Sequence, residues 1–277
     1  MRLNHLAGKQ MRMAGHVASS WRRTVVSSVL VLSVVALLAA AGRTAAVTSM
    51  LAIPPADRPK WSGLDRFLIE RLTPVLGIRP GTARYEEMLA PMRVLADKFL
   101  THWPAGLLHL IPGMIFVLLV PLQFSERIRS RRPRLHRWSG RALVIIALVI
   151  GLSGMYFGVL YPTYGLAEAV TIAVFGFVFL FSVTRAVVEI RRRNVALHRE
   201  WMIRAYAAAL AIATIRIVAT PIIAILVDPK TSTIAAFWVG WLSTLGGAEL
   251  WIRYTRGKAQ STGLAVSVPA LRAQVAD

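Results

Sequence analysis

The chain has 277 residues, of which 56% are hydrophobic, and a formal charge of +20. Soluble domains average about 45–50% apolar residues, and here the excess is gathered into long runs, which excludes an ordinary globular domain. The absence of cysteine excludes disulfides, thiolate metal sites and thiol catalysis.

Residues 1–23 form a basic, cytoplasmic N-terminus with Arg2, Lys9, Arg12, Arg22 and Arg23; His5 and His16 there are read as solvated. Six apolar runs follow, at 24–41, 105–124, 142–160, 167–183, 205–227 and 234–250. Each reaches or approaches the ~20 residues that cross ~30 Å of hydrocarbon. The prediction is an all-α integral membrane protein, a six-transmembrane helix bundle with an extracytoplasmic loop of amphipathic helices after the first span. The first transmembrane helix is placed at 24–42. Its apolar stretch of about 18 residues exceeds the 7–15 of a signal peptide, so it is read as an uncleaved span.

The loop at 43–103 has two patterned stretches. Trp61, Leu64, Leu68 and Leu72 recur at helical spacing behind a Ser62/Asp65 capping box. Tyr85, Met88, Leu89, Met92, Leu95, Phe99 and Trp103 share a second helical face, which Pro91 is expected to kink. Residues 104–253 form a five-helix transmembrane core. Residues 254–277 are expected to be a disordered cytoplasmic tail.

Charge alternates along this plan. The connection at 125–141 carries seven arginines and that at 185–204 carries six, whereas 161–166 carries none. This positive-inside asymmetry puts both termini in the cytoplasm and the protein in the cytoplasmic membrane. The nine basic residues of 43–103 do not oppose it, because long loops are translocated largely regardless of charge. The arginines follow topology and form no continuous basic domain, so nucleic acid is excluded as a partner. The partner is the lipid bilayer.

Leu135-His136-Arg137-Trp138-Ser139-Gly140-Arg141-Ala142 opens the third span and Leu197-His198-Arg199-Glu200-Trp201-Met202-Ile203-Arg204-Ala205 opens the fifth. Spans two–three and four–five thus read as two copies of one hairpin, with equivalent histidines at the cytoplasmic face. These strings, with Pro121-Leu122-Gln123-Phe124, Thr214-Ile215-Arg216, Pro221 and Ala248-Glu249, resemble the bacterial membrane-protein family called domain of unknown function 2306, over about His109 to Arg253. The resemblance implies a multi-span bundle with histidines near helix ends. The first span and the long loop lie outside it.

Three constellations are candidates for chemistry. At the inner face, His136 and His198 on two helices have the placement of axial ligands to a haem b, with Arg137, Arg141 and Arg204 near its propionates. The same groups suit a quinone or phosphate, or only lipid headgroups. Glu249, near the inner end of the sixth span, is expected to pair with Arg204. At the outer side, His109 lies roughly 7–8 Å deep and Arg216 roughly 16 Å deep at 1.5 Å per residue. Arg216 in hydrocarbon costs at least ~2.5–3.5 kcal/mol, so it needs a partner among His109, Tyr156, Glu168 or a carbonyl freed by Pro221. A two-haem arrangement of the cytochrome b561 type is excluded, because the only outer histidines, His102 and His109, lie on one segment.

The composite expectation is an uncharacterised multi-span membrane protein, a haem-b electron-transfer or oxidoreductase component with a quinone or redox partner. The alternative is a cofactor-free transporter or a lipid- or partner-binding membrane module. No phosphate-cradling loop, His-Glu-x-x-His string or placed carboxylate pair occurs.

Overall fold

Helix formation follows the apolar runs but outlasts them. A computed structural model describes residues 2–59, 62, 66, 70–71, 74, 77–215 and 229–274. The helices are α1 (Arg2–Leu51), α2 (Ala83–Thr101), α3 (Trp103–Gln123), α4 (Glu126–Arg131), α5 (Pro133–Met155), α6 (Leu166–Arg191), α7 (Val195–Thr214) and α8 (Pro229–Gln274). A π-helical turn, Tyr156–Leu160, extends α5. No strand occurs among the described residues. Four helical segments among them are long and apolar enough to cross a membrane: Arg23–Leu51, Trp103–Gln123, Pro133–Leu160 and Leu166–Arg191. The fifth expected run passes into residues outside the described set. The sixth lies within α8, where Glu249 and several glycines, serines and threonines dilute the hydropathy.

Element ends differ from the apolar runs in a consistent way. The first helix does not stop at residue 42; it continues without a break to Leu51, just before Pro54-Pro55. It also extends back through the basic N-terminus to Arg2, giving 50 residues, or ~75 Å at 1.5 Å each. The tail expected to be disordered is helical to Gln274 as part of α8. An apolar run measures hydrocarbon thickness, and a helix continues until a breaker or a cap ends it.

In the loop, Trp61, Leu64, Asp65, Leu68 and Leu72 lie outside the described residues. The second patterned stretch is α2. Thr82 caps it by accepting the Tyr85 N–H at 3.3 Å, and its apolar face buries Leu89 and Phe99. Phe99 packs with Val47, Leu110 and Phe157, so α2 covers the end of the bundle expected to lie outside.

The long helices close into a ring. α1 packs on α3, α3 on α5, α5 on α6, α6 on α7, and α7 returns to α1, while α8 lies against α6 and α7. The main core joins Phe116 and Val120 of α3, Leu143 and Ala147 of α5, Phe179 and Val183 of α6 and Tyr206 of α7. Ala205, Ala211 and Ala213 are 0% exposed; small residues let membrane helices approach closely. At Gly158 an added Cβ would fall 2.3 Å from Ile172 Cδ1, so the α5–α6 approach requires glycine. Tyr206 ties three helices: its hydroxyl bonds Ser33 Oγ at 2.8 Å and donates to Val117 O at 3.3 Å. Leu30, Val34, Leu38, Leu118, Ile145, Leu152 and Phe177 point outward, an apolar belt suited to lipid.

The α6–α7 connection is three residues, Arg192-Arg193-Asn194. Asn194 N donates to Glu189 O and Arg193 N to Ile190 O, the double bond of a Schellman close. Arg193 takes the left-handed conformation, φ 61°. Asn194 then caps α7 by accepting the Leu197 N–H at 3.2 Å. This tight turn sets α6 and α7 antiparallel along their length.

Candidate functional site

The end of the bundle expected to face inward is built on that turn. His198, in the first turn of α7, has Nδ1 2.8 Å from Ala186 O of α6. A carbonyl only accepts, so Nδ1 carries a proton and donates it, which leaves Nε2 turned away from this bond. His136, in the first turn of α5, has a buried Nδ1 with no hydrogen-bond partner. His136 is within electrostatic reach of His198, Arg129 and Arg137. Arg137 is exposed. Arg141 lies over the Trp138 ring at 5.2 Å. Arg204 is engaged: Nε donates to Glu249 Oε1 at 2.5 Å and Nη2 to Oε2 at 3.1 Å, with the guanidinium 4.5 Å from the Trp201 ring.

Two further pairs at this end were missed from the sequence. Arg185 donates to Glu189, 3% exposed, at 2.7 Å. Arg256 of α8 holds Glu200, 8% exposed, through both carboxylate oxygens. The i,i+4 spacing of Arg185 and Glu189 was a legible signal. Nothing in the sequence tied residue 200 to residue 256.

The outer cluster was expected to gather around Arg216, which lies outside the described residues, so its partner is not seen. His109 meets neither Tyr156 nor Glu168. Its Nδ1 donates to Ile150 O at 3.0 Å and lies 3.2 Å from Ser153 Oγ. Tyr156 joins His102, Phe157 and Tyr161 in an aromatic group. Lys98 donates to Tyr161 O at 2.7 Å beside it, and burial holds its ammonium below the ordinary lysine range while the charge of Glu168 opposes that. Glu168, 4% exposed, turns back at the start of α6 to accept the Tyr164 N–H at 2.6 Å. Burial pushes the Tyr164 phenol above its usual range, against a bond from Thr233. The expectation matched depths along the helices. It did not fix which way each side chain faces, and these three residues face different neighbours.

His109 faces something else. A cavity of about 300 Å³ lies inside the bundle, bounded by α1, α2, α3, α5, α6, α7 and α8. Its walls are apolar and small: Ala36, Ala39 and Ala40 on α1, Gly113 on α3, Gly151 and Gly154 on α5, Gly176 on α6, Ala208 on α7. Gly154 permits the histidine, since an added Cβ would meet the ring at 2.9 Å. Trp241 of α8 closes one side, stacked on Phe175 at 4.6 Å and donating Nε1–H to Ala208 O at 3.1 Å. The polar lining is His109 and, toward the outer end, Arg43. With Nδ1 donating to Ile150 O, the ring is held in one orientation at the cavity wall. Among the described residues no group of three or more His, Cys, Asp or Glu could hold a metal ion.

A ring of apolar helices with lipid-suited outer faces and a small central cavity defines the class: an α-helical membrane protein. The chain belongs to the family described as predicted membrane protein (DUF2306), whose profile matches residues 106–252, more than half of the chain. No curated protein and no solved structure matches it. The matched segment holds α3 to α7 and much of α8. It leaves out α1 and α2, as the resemblance in the sequence implied.

Proposed function

We propose that the protein is a six-span bundle of the cytoplasmic membrane, with both termini inside, that binds a small, mainly apolar ligand in the cavity beside His109. The observation that carries this reading is the cavity: pockets of about 300–1,000 Å³, apolar with a few placed polar groups, are the usual form of small-ligand sites. Small residues around the cavity leave room that larger ones would fill.

A second reading, haem b held between His136 and His198, has its own support. His198 is oriented by a carbonyl in the manner of metal-bound imidazoles, and His136 has a buried ring nitrogen without a protein partner. Haem bound there supplies one-electron transfer, with a redox partner at the inner face. Arg137, exposed and near His136, would pair with a propionate; Arg204 is held by Glu249.

One preparation tests both readings. The protein, exchanged into phosphatidylcholine nanodiscs, is expected to carry a stoichiometric adduct in native mass spectrometry. A reduced-minus-oxidised spectrum of the same sample reads haem directly. A chain with no adduct and no b-type band removes both. For topology, reporters fused at residue 80 and at the C-terminus are expected on opposite sides of the membrane; the same side for both ends the six-span arrangement.

A further inference from the structure

A second cavity, of about 420 Å³, lies beyond the first, between the end of α1, the residues after it and α2. Its character is different. Three arginines, Arg43, Arg58 and Arg93, line it with one carboxylate, Asp97. Arg43 lines both cavities. One face of α1 explains this: Ala36, Ala39, Ala40, Arg43, Ala46 and Met50 recur at helical spacing, the first four on the inner cavity and the last three on the outer. From Ala36 to Met50 that face runs ~21 Å at 1.5 Å per residue. An apolar chamber and a basic chamber therefore lie end to end along one helix, with an arginine where they meet.

We infer that the ligand is a single-chain amphiphile with an anionic headgroup, its tail in the inner cavity and its carboxylate or phosphate held at Arg43. This rests on the cavity reading above and names its ligand class. Arg43 already has a protein contact. Its guanidinium has five N–H donors in a fork that matches carboxylate and phosphate oxygens, so it can hold a headgroup as well. Arg58 donates Nε–H to Met50 O and Ile53 O. That bond fixes its charge at the end of α1, and Arg93 is fixed by its pair with Glu86. The basic chamber is thus pre-organised, which lowers the ordering cost of binding. A neutral ligand of the same length would forgo the arginines.

The test uses the full chain in phosphatidylcholine nanodiscs and three labelled probes: dodecanoate, dodecyl phosphate and dodecanol, with protein-free discs as the blank. The two anions are expected to bind about tenfold or more tighter than dodecanol, the scale of a charge-assisted hydrogen bond. Arg43→Gln should erase that difference, and Arg43→Lys should restore part of it. In the wild-type protein the preference should shrink as salt rises, a reading that needs no variant to fold. The ratio of dodecanoate to dodecyl phosphate tells a carboxylate ligand from a phosphate one. Equal binding of all three probes, insensitive to salt and to Arg43→Gln, overturns the anionic headgroup and leaves the cavity reading standing. Binding of none above the blank overturns both.

Discussion

Gly113→Leu should empty the cavity of ligand while making the protein more stable. Gly113 lines the cavity, and a Cβ added there meets nothing within 4 Å. A leucine side chain therefore has open space to enter. Replacing a mid-helix glycine gains about 1 kcal/mol of helix propensity, and the new side chain adds contacts where apolar walls face a void. The same atoms occupy the ligand's volume, and overlap of that kind costs roughly 1–3 kcal/mol, so retention should fall by about tenfold or more. Gly246→Leu is the control: it too has open space, on an exposed part of α8 away from the cavity. Both variants should unfold at higher temperature; only Gly113→Leu should lose the adduct in native mass spectrometry. Full retention in Gly113→Leu would mean that the ligand, if present, sits elsewhere.

Arg185→Met should be among the most destabilising single changes at the inner face. Glu189 is 3% exposed and its carboxylate is bonded to Arg185. Removing one partner of a buried pair leaves an uncompensated charge and costs about 3–5 kcal/mol. Replacing both, Arg185→Met with Glu189→Met, should recover most of that loss, because a buried pair contributes little over well-packed apolar groups. Denaturant unfolding in a fixed detergent measures the three variants against the parent. A harmless Arg185→Met would show that Glu189 finds other partners, among them the arginines of the adjoining turn.

The helices were legible because apolar runs of this length have few other uses. Their ends were not, since hydropathy says nothing about where a helix stops: Leu51 and Gln274 both lie well beyond the hydrophobic stretch that announced their helix. Arg204 and Glu249 could be read as partners from position alone, sitting at the same end of neighbouring spans. His109, Tyr156 and Glu168 could not be separated that way, because rotation about a helix axis is set by packing that one sequence does not display. The cavity itself left a trace only in retrospect, as alanines and glycines distributed over helices whose adjacency was unknown. Glu200 and Arg256 illustrate the same limit, being 56 residues apart.

The ring of helices has one unequal stave. α3, α5, α6 and α7 are strung together by short connections within the matched segment. α1 comes from outside that segment and is joined to α3 only through the long residues 52–102. Yet it supplies Ala36, Ala39, Ala40 and Arg43 to the cavity and Ser33 to Tyr206. Without it the chamber would be a slot facing acyl chains, able to take molecules sideways from the bilayer. With it, that side is walled by alanines, and Arg43 stands where the second cavity begins. The N-terminal helix thus turns an open groove of the matched core into a walled chamber.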